Sequence, residues 1–224
     1  MLDRQNTSPA ELRNGCVLAT IAHAIFTGHT PELANEQSWD GPNYSVQDSQ
    51  GAIGTVTFDA RATVGAFFDA HSQRNPLASG AHFDLTTFLA EMPADVRSVA
   101  HDEALQYLLQ EYEGTTVPVI TSVFWSDRDE LVTPEPWEDT FANGAHLIRT
   151  QLLPPDEGIE AWRSHYELSP GQVDLLQSLS ARRTATEGAV VMSDEDMAVL
   201  VEQGRDGLEQ SRELLASVGI TVPA

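Results

Sequence analysis

Two residues of this chain have the chemistry of a nucleophile and its base. Cys16 is the single cysteine, and Asn14-Gly15-Cys16 opens a dense apolar run, 16–26, that predicts a helix. His146 follows Gly144-Ala145 at the head of a segment, 146–153, that predicts a strand. A helix N-terminus stabilises a thiolate, and a histidine delivered from a facing sheet can take the proton, so the pair would suit thiol hydrolysis. The helix, however, is expected to start at Ser8, with Pro9 at its first position and Glu11 placed to close a capping box. That start sets Cys16 well inside the helix, beyond the N-terminal field, where a cysteine packs as a small hydrophobe. His23 shares a face with Cys16 but lies about 10 Å further along the axis. It reads as a core histidine rather than a base.

An early cysteine on a helix and a late histidine on a strand resembles the order in papain-like thiol hydrolases, including peptidases that process secretion leaders. The resemblance implies Cys16 and His146 as catalytic residues. Val17 and Leu18 stand where those families carry glycine and proline, and Gln5 is too far upstream to serve as their oxyanion glutamine. A second constellation is metal-like: Asp69, His71, His82 and the pair His101-Asp102. A histidine followed about thirty residues later by His-Asp resembles the HD phosphohydrolases, which implies one or two metal ions. Those proteins are all-helical, whereas Asp69 and His71 end a predicted strand and His101-Asp102 falls on a solvated helix face. No metal and no cofactor is expected.

The third constellation is the loop Ser38-Trp39-Asp40-Gly41-Pro42-Asn43-Tyr44-Ser45 with its neighbour Asp48-Ser49-Gln50-Gly51. Polar residues beside a tryptophan and a tyrosine can anchor a partner, which makes Trp39, Asp40, Asn43 and Tyr44 candidate binding residues. The same residues also fit simple turn chemistry, with Trp39 packed on a sheet edge. Gln37-Ser38-Trp39-Asp40-Gly41 and Gly54-Thr55-Val56-Thr57-Phe58 together look similar to hypothetical bacterial proteins of no assigned function. Trp125, Trp137 and Trp162 sit on apolar faces and read as core. Asp127, Asp129 and Glu130 form an acidic turn that lacks the ligand count and central glycine of a calcium loop.

Composition narrows the chemistry further. There are 34 acidic residues against 12 basic ones, a formal charge of −22. All the basic residues are arginine. Without lysine the chain cannot build a Schiff-base or pyridoxal-phosphate enzyme, a P-loop, or the nucleotide-pairing lysine of a protein kinase. One cysteine excludes an internal disulfide, a multi-cysteine zinc site and an iron–sulfur cluster. The charge should repel nucleic acid and anionic lipid and would steer in a basic protein partner; a lysine-poor genome or a salty cytoplasm is the simpler account of it. Gly-x-Gly-x-x-Gly, Gly-x-Ser-x-Gly and His-Glu-x-x-His are all missing. The first residues show no basic start, apolar run and cleavage site, and the apolar run 16–26 is too short to span a bilayer. A cytoplasmic location is the default expectation.

The elements that must position these residues read as α+β: a small antiparallel sheet packed by helices, with a helical C-terminal third. Three short strands in 44–68 should form a meander. Helices are expected over 84–91 and 94–112, and the strongest strand over 117–125. A short helix should cover 134–141. Ser169 and Ser193 each cap a later helix, the second running unbroken toward the C-terminus. Residues 1–182 read as one domain, with 183–224 a joint and a last helix packed on it. The functional expectation is a non-catalytic interaction or regulatory module with a basic protein partner, against a thiol hydrolase as the first alternative and a metal-dependent phosphohydrolase as the second.

Overall fold

Ser8 opens the first helix as its flanking residues predict. Its hydroxyl accepts the Glu11 N–H at 3.2 Å, while the Glu11 carboxylate accepts the Ser8 N–H at 2.8 Å, so the two ends of the capping box satisfy each other. The structure, a computed structural model, describes residues 2–79, 84–186, 188–202 and 204–223. In chain order the elements are β1 (Asp3–Gln5), α1 (Pro9–Thr27), β2 (Gln37–Asp40), β3 (Asn43–Gln47), β4 (Ala52–Phe58), β5 (Thr63–Asp69), α2 (Pro76–Ser79), α3 (Leu85–Leu89) and α4 (Ala94–Asp102). There follow β6 (Leu109–Tyr112), β7 (Thr115–Pro118), β8 (Ser122–Asp127), β9 (Glu130–Thr133) and α5 (Trp137–Ala142). The helical third holds α6 (Pro155–His165), α7 (Pro170–Thr184), β10 (Val190–Val191), α8 (Asp194–Leu200), α9 (Leu208–Ser217) and β11 (Ile220–Thr221). The fold is α+β, as composition and patterning lead one to expect.

The chain divides into two compact units, Met1–Glu11 with Asp40–Arg149, and Leu12–Trp39 with Thr150–Ala224. The expected boundary at 182–183 falls inside the second. Acidity is shared: 19 acidic residues against six arginines in the first, 15 against six in the second.

The first unit is built on an antiparallel sheet in the order β1-β9-β8-β5-β4-β3-β2, where β2 ends at the residue that begins this unit. Seven strands make it larger than the small sheet anticipated. The meander 44–68 forms as β3, β4 and β5; of residues 38–43, read from sequence as rich in turn formers, 41 and 42 make the turn while 38–40 belong to β2. Strand β5 is buried along its whole length, which explains its continuous apolar run. One core gathers Val64, Ala66, Phe68, Val96, Val99, Leu105, Ile120 and Trp125. Elsewhere Phe67 stacks on Phe124, which meets Trp137. Gly65 pairs with Phe124 in the β5–β8 register, and a Cβ there would fall 2.1 Å from the ring.

In the second unit α1 is the central helix. From Cys16 to Ile25 every residue is buried, as an all-round apolar helix requires. Around it pack Trp162, Leu175, Leu176, Leu179, Leu200, Leu214 and Leu215. The Ser211 hydroxyl donates to the Ala24 carbonyl at 2.6 Å, and β10 pairs with β11 in parallel. Both predicted caps form, each as a capping box, Ser169 with Gln172 and Ser193 with Asp196.

Four expectations are corrected. Helix 94–112 stops at Asp102, becomes a 3-10 turn over Ala104–Tyr107 and ends as β6; Leu105 and Leu108 are buried but Leu109 is 45% exposed, so the helical spacing does not define one apolar face. Strand 117–125 splits between two sheets: Thr115–Pro118 pairs with Leu109–Tyr112 as β7, and Ser122–Asp127 joins the seven-stranded sheet as β8. Segment 146–153 is a 3-10 turn over Ala145–Ile148, not a strand. The last helix breaks between α8 and α9, where Gly204, Asp206 and Gly207 undercut helix propensity.

Candidate binding site

The hairpin of β2 and β3 carries the loop singled out above, and its four candidate residues part company. The Trp39 indole N–H donates to Thr20 Oγ1 at 2.9 Å, so this ring is anchored inward. Tyr44 is fully buried and belongs to the core. Asp40 is exposed at the turn, where Gly41 takes φ +56°. Asn43, 2% exposed, begins β3 and aims its amide along the same edge.

Asp40 and Asn43 meet two residues that sequence placed on a helix. The Tyr107 hydroxyl donates to Asp40 Oδ2 at 2.7 Å. The Asn43 amide donates to Glu103 Oε2 at 2.8 Å and reaches the Tyr107 oxygen at 3.2 Å. Behind it, the Thr57 hydroxyl donates to Asn43 Oδ1 at 2.6 Å. A buried amide with both ends occupied is fixed in orientation, so the phenol it touches is held in place too. The Tyr107 ring is 36% exposed. Partial burial, with Asp40 beside it, raises the phenol pKa above its usual value, so it stays a neutral donor. Arg61 sits among Asp59, Asp102 and Glu103 and pairs with Asp59 at 2.8 Å. The result is an aromatic ring fixed between two carboxylates, each with one oxygen outside this network. Such a surface suits a guanidinium or ammonium, through ion pairing and ring-face attraction.

The thiol pair looks different in three dimensions. Cys16 is fully buried in mid-helix, and burial raises its pKa well above the usual thiol value, with Arg13 opposing only in part. That is the reverse of an activated thiolate. The glycine before it has a packing reason: a Cβ on Gly15 would lie 1.9 Å from the Gln151 carbonyl oxygen. His146 is exposed, with Nε2 3.5 Å from Asp48 Oδ2. Burial pushes the Asp48 carboxyl up, but the N–H groups of Ala52 and Gln50, with His146, bring it below its usual range. Cys16 and His146 belong to different units.

His23 is a core histidine. It is fully buried with Nδ1 3.0 Å from the Tyr166 hydroxyl, and burial lowers its pKa to about 4. Three of the metal-like residues, Asp69, His71 and Asp102, make hydrogen bonds within the chain. Asp69 Oδ1 accepts the His71 N–H at 2.7 Å, His71 Nε2 bonds the Gln50 carbonyl, and the Ser98 hydroxyl donates to Asp102. His82 lies outside the described residues. Among those described, no three His, Cys, Asp or Glu side chains converge to hold a metal, and no helix is long and apolar enough to cross a membrane. In the acidic turn, Asp127 and Glu130 both pair with Arg4.

Glu103, Tyr107 and Thr57 escaped sequence reasoning. Nothing in a single sequence links a strand position, a 3-10 turn and a hairpin edge. No protein-family model, curated protein or solved structure matches this chain.

Proposed function

We propose that the chain is a non-catalytic interaction protein that binds a basic protein partner, seating an arginine or lysine side chain at Asp40, Tyr107 and Glu103. The observation that carries this is the exposed Tyr107 phenol held between Asp40 and the Asn43–Glu103 pair. The charge balance supports it. Six arginines, Arg4, Arg61, Arg74, Arg149, Arg163 and Arg182, are already in ion pairs with carboxylates, and most acidic side chains among the described residues have no arginine paired with them. Long-range attraction then raises the encounter rate, and the fixed phenol gives the contact a geometry. The thiol-hydrolase reading draws no support from a buried thiol with a raised pKa.

The test is titration with a short arginine peptide, followed through the Tyr107 ring resonances. Saturable shifts that weaken as salt rises are the expected result. Shifts that are absent, or that spread over acidic surfaces without favouring Tyr107, would reject the reading.

A further inference from the structure

The second unit contains a feature of opposite sign. A cavity of about 520 Å³ is lined by Arg13, Asn14 and Val17 of α1 and by Arg183, Thr184 and Thr186 at the end of α7. Among the described residues, two guanidinium groups and no carboxylate line it, in a chain with 34 acidic residues. Neither arginine has a carboxylate partner among the described residues, unlike the six in ion pairs. Arg183 is held instead by neutral groups, donating to the carbonyls of Val218 and, at 2.8 Å, Thr186. Those bonds fix the guanidinium without cancelling its charge. Arg13 lies exposed on the facing helix.

We propose that this cavity binds the phosphate group of a small phosphorylated molecule. Two guanidinium groups, the Asn14 amide and the Thr186 hydroxyl offer more donors than the two oxygens of a carboxylate accept. A phosphate monoester has three terminal oxygens and up to two charges, which matches that supply. The volume falls in the range of about 300–1,000 Å³ typical of small-ligand sites, enough for a mononucleotide. The overall negative charge does not forbid this. A nucleic acid would press many phosphates against an acidic surface, whereas a single phosphate meets only the cavity, with distant charges screened beyond about 8 Å at physiological salt. The inference is independent of the cation site, which lies in the other unit.

The experiment is calorimetric titration of the full chain with inorganic phosphate, pyrophosphate and adenosine monophosphate, in a buffer free of oxyanions. Saturable binding is expected, weakened about tenfold or more by Arg13→Gln, an exposed substitution that should leave the thermal midpoint unchanged. Arg183→Gln should weaken it as well, and its midpoint reports any loss of the Val218 and Thr186 tethers. Tighter binding of the mononucleotide identifies an organic ester as the source of the phosphate, and equal binding of inorganic phosphate identifies the free ion. Binding with a Kd no better than about 10 mM for all three, or binding that Arg13→Gln leaves intact, would overturn the proposal.

Discussion

Tyr107 donates its phenolic proton to Asp40 across 2.7 Å, although 67 residues separate them in the chain. The bond ties the hairpin edge to the 3-10 turn that follows α4, and it sets the face a cationic partner would meet. Tyr107→Phe keeps the ring and removes the bond. Because the pair is exposed, the stability cost should stay near 0.5–1 kcal/mol, read from urea unfolding. Peptide affinity should fall several-fold, because the ring loses its fixed position.

Asn43 has a heavier structural role. Asn43→Ala strips Glu103 of its amide donor and leaves the Thr57 hydroxyl without an acceptor in a buried setting. A loss of about 1–3 kcal/mol is expected from such unpaired groups. Asn43→Asp should be worse, since a carboxylate would face Glu103. Thermal unfolding of both variants checks the order.

Cys16 should be inert in the native protein. Alkylation across a pH series should proceed only at the rate of global unfolding, because the thiol is buried and protonated. Cys16→Ala should fold with a cost of about 1 kcal/mol from the small cavity. Rapid native labelling below neutral pH would revive the thiol-hydrolase reading.

His23 links folding to pH. Its folded pKa, about 4, lies below the ordinary value of 6.5, so the unfolded chain takes up the proton first as pH falls. The contribution is fully present above pH 6.5 and is lost between there and about pH 4, reaching roughly 3 kcal/mol. Titration of the His23 ring resonances should show no protonation until the pH nears 4. A His23 midpoint near 6.5 would contradict the burial argument.

Gly15 and Gly65 mark close approaches to a backbone carbonyl and to a phenylalanine ring. Gly65→Ala should destabilise more than a surface glycine substitution, by about 1–3 kcal/mol, because the Phe124 ring must move within a packed sheet. Gly15→Ala would force α1 away from Gln151, and its unfolding midpoint should fall comparably.

The parts legible in the sequence were those set by neighbours along the chain. Capping boxes at Ser8, Ser169 and Ser193 and the buried character of α1 follow from local chemistry, and the structure contains each of them. The meander was readable for the same reason: alternation and turn residues are local signals. What failed depended on tertiary partners. The Leu105–Tyr112 spacing satisfies a helix, yet Leu109 faces out once β6 pairs with β7. His146 has the flanking pattern of a strand start, but Ala145–Ile148 forms a 3-10 turn. In the candidate site only Asp40 and Asn43 were foreseen. Trp39 and Tyr44 carry the same loop signal but turn inward, and Glu103 and Tyr107 arrive from the end of α4 and the 3-10 turn after it, where the spacing predicts a continuous helix.

The most direct test of the central claim compares two double neutralisations of equal charge. Asp40→Asn with Glu103→Gln alters the proposed site, and Glu209→Gln with Glu213→Gln alters two exposed acids of α9 in the other unit. Affinity for an arginine peptide is measured at one ionic strength for both variants and the parent chain. The account predicts a loss of about tenfold or more for the first pair and less than about twofold for the second. Equal losses would mean that net charge alone attracts the peptide, and the Asp40–Tyr107–Glu103 face would not be the site.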